Sequence, residues 1–369
     1  MRILHITKAC GGGIKRHLEL LAPALAHLGA EQYLLAASSE PENDFLQTTV
    51  PQFPGETDFY NLPSSLWHPW QFLRLLRIVR NTVKRWRPDI IHLHAFWGGL
   101  AGRLQNFRLS PSPAIVYSPH AFSWHPDAPS WQNLAVRLAE RHLYRASQAL
   151  VFVGEAEFSQ AKELGLPEGK CHLVANALPP MFTRQLATRD EAQRHLQLDQ
   201  EHRHLLFAGR PVWQKGLDCL AAALPLLPVE TPWLCHFFWD DSQQAPLLRS
   251  LLASPAGRLC RVHPLLPNLS RYLRGFDAAV LPSRYEGCSY ALLECLAAGL
   301  PLLVSPEASL GISMHSTATL LSWNRRQPAE FPAILDNVPP LAEPTAPNYT
   351  SDDQARWLMD VYQSLVGHA

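Results

Sequence analysis

Glu286 and Glu294 lie eight residues apart in Arg284-Tyr285-Glu286-Gly287-Cys288-Ser289-Tyr290-Ala291-Leu292-Leu293-Glu294. This segment follows an apolar run and leads into an Ala/Leu-rich helical pattern. Gly287, directly after the first carboxylate, lets a ligand approach the backbone closely. The first turn of the following helix presents N–H groups suited to an anion. Glu294 falls roughly two turns further along the same helix. Carboxylates accept hydrogen bonds from sugar hydroxyls, and free amides suit phosphate oxygens. A nucleotide-sugar site fits this combination. A buried strand–turn–helix carrying two surface glutamates fits the spacing equally well, so other segments must decide.

Gly209-Arg210 and Lys215-Gly216 follow the apolar run His204–Ala208. Two cations at the start of a helix suit a diphosphate, Arg as a planar fork and Lys as a mobile point charge. A solvated loop with two surface cations is the alternative. Gly11-Gly12-Gly13 lies between the first apolar run and a helical pattern from about Lys15 to Leu28. It allows close backbone approach but lacks the spacing of a dinucleotide fingerprint. His92 and His94 alternate onto one face of a strand. With no carboxylate or third histidine at ligand spacing, no metal site is expected. His120, after Tyr117-Ser118-Pro119, is placed to hydrogen-bond a sugar or to serve the core. Asp240-Asp241 lacks Asp-x-Asp spacing and is taken as a polar loop.

The elements that must hold these residues alternate strand and helix. Strands are expected at Arg2–Ile6, Gln32–Ala37, Ile90–His94, Ala114–Ser118 and Ala149–Val153. After a break near Ala177-Leu178-Pro179-Pro180 they resume at His204–Ala208, Trp233–Trp239 and Ala278–Pro282. Helices are expected over Trp67–Trp86, Asn133–Ala146, Gly216–Leu227, Tyr290–Ala298 and Asp352–Leu365. Alternation of this kind builds parallel sheets from right-handed βαβ units. Ligands of such sheets bind beyond the carboxyl ends of the strands. A chain of 369 residues exceeds one ordinary core and is expected to form two domains. Val338–Pro347 is proline-rich and is expected to be a linker.

Net charge is zero, which gives no reason to expect a nucleic-acid partner. The seven cysteines are scattered without a CxxC pair, so neither a disulfide framework nor a zinc site is expected, and a reducing cytoplasm is the simplest setting. Met1 opens directly into a strand, and neither a leader nor a membrane span is expected. The segment Trp67–Arg87 carries six Arg/Lys, three Trp and no acidic residue. Such a helix either packs its apolar stripe on the sheet or lies on anionic lipid.

Together these segments resemble the large retaining glycosyltransferase family 4, which has the GT-B fold. The resemblance rests on Leu281-Pro282-Ser283-Arg284-Tyr285-Glu286-Gly287 with Leu293-Glu294-Cys295-Leu296-Ala297-Ala298-Gly299-Leu300-Pro301. It extends to Gly209-Arg210 with Gln214-Lys215-Gly216-Leu217, to Gly11-Gly12-Gly13 with Arg16-His17-Leu18, and to Pro88-Asp89-Ile90-Ile91-His92. It implies an α/β architecture of two doubly wound Rossmann-like domains facing across a cleft. The acceptor-side domain would span 1–178 and the nucleotide-sugar domain 179–350, with a terminal helix, 351–369, packing back on the first.

The resemblance further implies that Arg210 and Lys215 neutralise the diphosphate leaving group, so that no metal or other cofactor is required. Glu294 would hold the ribose. Glu286 and the backbone of Gly287, Cys288, Ser289 and Tyr290 would hold the donor sugar, with His120 beside it, Gly12 and Gly13 lining the acceptor and phosphate side, and Gly209 at the diphosphate. Cys288-Ser289-Tyr290 is bulkier than the family's usual turn, and Ala121 and Ala177 stand where the family often has Gly. Past Ser305 the resemblance fades. The expected activity is transfer of a sugar from a UDP- or GDP-linked donor to a glycan or lipid-linked acceptor of a surface polysaccharide or glycolipid. Cytoplasmic placement is expected, with peripheral attachment to the inner face of the membrane as a second expectation. A non-catalytic scaffold subunit and a GT-B sugar-nucleotide epimerase remain the alternatives.

Overall fold

The computed structural model describes residues 1–38, 45–62, 69–105, 107, 112–122, 124, 127, 129–239, 246–309 and 319–366. Trp67 and His68 of the basic segment, and the Asp240-Asp241 pair, lie outside the described residues. The chain divides into two compact units, Met1–Ala177 with Tyr349–Ala369, and Leu178–Asn348.

The first unit is built on a seven-stranded sheet of order β3-β2-β1-β4-β5-β6-β7. Its strands are β1 (Arg2–Thr7), β2 (Glu31–Ala37), β3 (Gly55–Tyr60), β4 (Ile90–His94), β5 (Ala114–Ser118), β6 (Ala149–Phe152) and β7 (Cys171–Leu173). All the pairings are parallel. Successive side chains on β1 point to opposite faces. Leu4 and Ile6 pack with Leu75, Val79 and Val83 of the helix Pro69–Trp86. Ile3 packs on the other side with Leu21 and Leu25 of the helix Gly12–His27 and with Ala355 and Leu358 of the helix Ser351–Val366. Helices cover both faces, which is why these strands are continuous apolar runs rather than alternating ones.

The second unit carries a six-stranded parallel sheet of order β10-β9-β8-β11-β12-β13. Its strands are β8 (Arg203–Phe207), β9 (Trp233–Phe238), β10 (Cys260–His263), β11 (Ala278–Leu281), β12 (Leu302–Val304) and β13 (Leu320–Ser322). In each sheet the strand order reverses once, between β1 and β4 in the first and between β8 and β11 in the second. The loops that leave these strands diverge to opposite faces and open a crevice at the strand ends. Gly11–Gly13 and His120, and likewise Gly209–Gly216 and Pro282–Ser289, follow switch-point strands or their immediate neighbours.

Three local expectations change. The first helix begins at Gly12 rather than Lys15, so Gly12 and Gly13 form its opening turn and Gly11 is its extended cap. Gly12 has φ +59°, a left-handed conformation that suits a residue without Cβ. The strand Gly55–Tyr60 has no apolar run to announce it; it pairs through backbone with Gln32–Ala37. The proline-rich stretch is not a free linker, because Ala342 N–H donates to Gly299 O and Thr345 N–H to Ala297 O. A Cβ on Gly299 would lie 2.3 Å from Ala342 O, so this stretch requires a glycine there.

The helix Ser130–Leu143 is pinned to the first sheet by charge rather than by apolar surface. Arg103 donates to Glu140 Oε2 at 2.7 Å and Oε1 at 3.1 Å, and Tyr117 OH donates to Oε1 at 3.1 Å. Arg103 also lies over the Tyr117 ring at 3.7 Å. Both charged side chains are buried, 0% and 4% exposed. Glu140→Ala should therefore destabilise the fold by about 3–5 kcal/mol, because it strands a buried guanidinium. Urea denaturation measures it, and a change under about 1 kcal/mol would contradict the pinning role.

Candidate functional site

In the second unit the two loops at the switch point are tied into one body. Arg284 is the tie. Its Nη1 donates to Trp213 O at 2.5 Å, and its fork donates to Asp218 Oδ1 at 2.8 Å and Oδ2 at 2.6 Å. The guanidinium lies 4.1 Å over the Trp213 ring, and its own backbone N–H donates to Gln214 O at 2.9 Å. Burial works to raise the Asp218 carboxyl, but the Arg284 fork together with the backbone N–H groups of Asp218 and Cys219 holds it below its ordinary value. Gly216 closes the turn with φ +73°, and a Cβ there would lie 2.0 Å from Pro282 O. Only glycine allows these loops to approach so closely.

The clamp delivers Lys215 to Glu286. Lys215 Nζ donates to Glu286 Oε1 at 2.5 Å, with the side chains 15% and 10% exposed. Gly209 lies alongside, where a Cβ would come 3.3 Å from Lys215 Cδ. Arg210 is exposed. It nonetheless acts on Tyr285, whose hydroxyl is pushed up by burial and by Glu286, with Arg210 opposing. Gly287, Cys288 and Ser289 are buried just ahead of the helix Tyr290–Ala297, and Tyr290 is its first, buried residue. Glu294 is half-buried further along that helix; burial, with Glu294 adding, pushes the adjacent Cys295 thiol up. The structure thus brings together Gly209, Lys215, Glu286 and the turn that follows. Arg284 is the member that sequence reasoning passed over. Its signal was weak, since an Arg after an apolar strand is common and its partner Asp218 lies far away in the chain.

In the first unit His120 does not stand alone. It joins His5, His17, His92 and His94 at the carboxyl ends of β1, β4 and β5. His94 Nδ1 lies 2.9 Å from His120 Nε2, and His94 Nε2 lies 3.1 Å from His5 Nδ1. His5 Nε2 is 3.2 Å from Gln32 Oε1, and His17 Nδ1 is 3.0 Å from Asn176 Oδ1. His92 is held at both nitrogens, by Tyr362 OH at 2.5 Å and Ser118 Oγ at 2.8 Å. The sequence shows His92 and His94 as an isolated pair. The fold adds three more imidazoles, because parallel register sets His5 opposite His92 and the first helix lays His17 over them. No spacing along the chain reports that.

The turn that carries His120 is strained. His120 has φ +55° and Ala121 φ +91°, which explains why the family often places Gly after this histidine. Glu157 stabilises the turn by accepting from Ala121 N–H with one carboxylate oxygen and from Val153 N–H at 2.9 Å with the other. Burial pushes the Glu157 carboxyl up to about 7 even though both hydrogen bonds oppose the shift.

The basic helix Pro69–Trp86 packs its apolar stripe on the sheet and leaves most of its cations in solvent. Leu75, Val79, Val83 and Trp86 are buried, while Trp70 is 81% exposed and Arg74, Arg77, Arg80 and Lys84 face solvent. Arg85 is engaged, donating to Asp58 Oδ2 at 2.8 Å. A second exposed stripe, missed in the sequence, lies on the helix Ser130–Leu143, where Trp131, Leu134 and Leu138 are 74%, 58% and 55% exposed beside Arg137 and Arg141. All seven cysteines are free thiols. Among the described residues no helix is long and apolar enough to cross a membrane.

Comparison with known proteins adds to this geometry. The family profile "Glycosyl transferase 4-like domain" matches residues 12–177, and "Glycosyl transferases group 1" matches residues 202–334. A glycogen synthase of Mycobacterium tuberculosis is 28% identical over 91% of this chain and 84% of its own length. Among solved structures, sucrose-phosphate synthase from Thermosynechococcus elongatus superposes with TM-score 0.75 at 14% identity, covering 100% of this chain and 97% of that one. Anabaena HepE, solved with UDP and glucose, gives TM-score 0.70 at 13% identity over 100% and 98%. At those identities the two structures speak for the fold alone.

The imidazole cluster makes stability depend on pH. Burial lowers His5 to about 3 and His17 to about 4, and lowers His92, His94 and His120 well below their ordinary value. The unfolded chain protonates these groups near pH ~6.5, and the folded chain does so only at much lower pH. Stability is therefore full above that value and declines as pH falls towards 3–4. Glu157 has the opposite sign, losing its contribution as pH rises from ~4.5 towards 7, but it is one group against five. Thermal melts should show Tm falling steadily from pH 7 to pH 5, and a flat profile would contradict the neutral cluster.

Proposed function

From its membership of the family 4, GT-B glycosyltransferases, we propose that this chain is a retaining hexosyltransferase. In this reading it moves a sugar from a UDP- or GDP-linked donor to a glycan or lipid-linked acceptor in surface polysaccharide or glycolipid synthesis. The observation that carries the reading is the Lys215–Glu286 pair at 2.5 Å, clamped at the second unit's switch point by Arg284. A cation for the departing diphosphate and a carboxylate for sugar hydroxyls meet at one spot, each compensating the other until a donor separates them.

When the sugar–phosphate bond breaks, negative charge develops on the diphosphate. Lys215, Arg210 and the amides opening the helix Tyr290–Ala297 supply preorganised positive potential for it. Glu286 and the amides after it take the sugar hydroxyls, and Glu294 takes the ribose. The family resemblance assigns His120 to the sugar, and this reading adopts that role. Same-face attack guided by the leaving phosphate accounts for retention, and with two cations at the diphosphate this reading requires no divalent ion there. The catalytic pair Lys215–Glu286 also argues against a scaffold subunit, which has no need of a charge pair so poorly exposed.

Lys215→Ala should lower turnover on the order of 10²-fold while melting within a few degrees of the parent, with EDTA present throughout. Unchanged turnover would remove Lys215 from the diphosphate. The donor is identified by a melting panel of UDP, GDP and their sugars, since ligand at a hundred times Kd adds about 2.7 kcal/mol. The anomer released, read by proton NMR, tests retention.

A lipid-linked acceptor is supported by the exposed Trp70, Trp131, Leu134 and Leu138 among arginines, a composition that suits an anionic bilayer surface. Arg77, Arg80 and Lys84 together changed to Gln should weaken binding to phosphatidylglycerol vesicles roughly 100-fold, at about 1 kcal/mol per cation. Equal binding would leave these residues as ordinary solvated charges.

A further inference from the structure

One ring nitrogen from each of His17, His94 and His120 lies within 4.8 Å of the other two. Which nitrogens they are, and whether each carries a proton, follows from the groups behind them. Gln32 Nε2 donates to Ala22 O at 2.7 Å, so its Oε1 is an acceptor towards His5. His5 Nε2 therefore carries the proton at that contact, and a neutral His5 must accept at Nδ1. His94 Nε2, facing it at 3.1 Å, is then the donor, so the lone pair of His94 is on Nδ1. That atom faces His120 Nε2 at 2.9 Å.

A second chain of reasoning fixes His17. Gln354 Nε2 donates to Asn176 Oδ1 at 3.4 Å, which identifies that Asn176 atom as the acceptor. His17 Nδ1, 3.0 Å from the same oxygen, donates to it, and the lone pair of His17 is on Nε2. Two imidazoles thus have their proton on the far nitrogen, held by an amide or a second histidine, and turn a lone pair inward. Histidines that bind metal are oriented in this way, with the other N–H held by an acceptor that fixes the ring.

We infer that His17 Nε2, His94 Nδ1 and His120 Nε2 form a site for a divalent transition ion of the Zn²⁺ class, with a fourth position open to water. His120 takes part by tautomerising, its proton passing from Nε2 to Nδ1 with no net release. Tetrahedral ligands at about 2.0–2.1 Å from Zn²⁺ stand about 3.3 Å apart, so the His94–His120 contact need open only by a few tenths of an ångström. His17 and His94 are buried, while His120 is half-buried and forms the accessible side.

Two comparable clusters do not qualify. His5, His92 and His94 also converge, but both His92 nitrogens are committed to Tyr362 and Ser118. In the second unit, His204 donates to Asp199 O at 2.8 Å and accepts from His236, which accepts from His263, each contact 2.9 Å. That is a line of imidazoles with no common centre. The metal site does not rest on the glycosyl-transfer reading; the two meet only at His120, where a bound ion would take up a nitrogen otherwise available to the donor sugar.

The test is titration of the full chain with Co²⁺, read by its visible d–d bands. One equivalent should bind with intense bands of a four-coordinate nitrogen site and without a thiolate charge-transfer band. His17→Gln should weaken binding at least ~10-fold. Asn176→Leu keeps all three ligands and removes only the acceptor behind His17; it should cost about 10–100-fold and decides the matter should His17→Gln fail to fold. His263→Gln should bind as the parent does. Absence of the bands, equal affinity in both first-unit variants, or loss of binding in His263→Gln instead would each overturn the assignment.

Discussion

A parallel sheet covered on both faces leaves no room for unpaired polar groups except at its strand ends, and the rest of this protein is arranged around that constraint. Strands such as Ile90–His94 and Ala278–Leu281 are wholly buried, so chemistry gathers at their carboxyl ends and in the loops that leave them. Where the strand order reverses, neighbouring loops part and leave a crevice. The Lys215–Glu286 pair lies at that place in the second unit, and His120 lies close to it in the first.

The two units solve the problem of burying polar side chains differently. In the second, Arg284 binds Asp218, Trp213 and Gln214 in one contact set, and the rigidity of that clamp holds Lys215 against Glu286. In the first, five histidines enter the interior, and each is compensated by a neighbour. Gln32, Asn176, Ser118 and Tyr362 terminate the network with amide or hydroxyl groups, and the imidazoles remain uncharged. Tyr362 and Gln354 come from the terminal helix, so the last turns of the chain complete a network begun at His5. An unpaired buried imidazole would cost several kcal/mol, and each of the five has a partner.

Much of the fold was legible in the sequence because both sheets are made of short apolar runs separated by helical patterns. Ile90–His94 and Ala114–Ser118 have the bounds expected from the sequence. Gly55–Tyr60 was not legible, since a largely polar edge strand leaves no apolar pattern. The opening of the first helix at Gly12 was missed because three successive glycines look like a loop, and only the tertiary docking of that helix overrides their low propensity. In the candidate site, Glu286, Lys215 and Gly209 could be named from spacing. Arg284 could not be given a role, since its partners lie some seventy residues away in sequence.

The sequence by itself determined the architecture, the order of the loops and the identity of the charged groups beside each switch point. These depend on periodicity and on residues close together in the chain. The pairing of Lys215 with Glu286, the convergence of His17, His94 and His120, and the tautomers imposed by Gln32 and Asn176 were decided only by tertiary structure. Each needs side chains from separate elements brought within a hydrogen bond's length, and strand register and helix docking, not local sequence, set those distances.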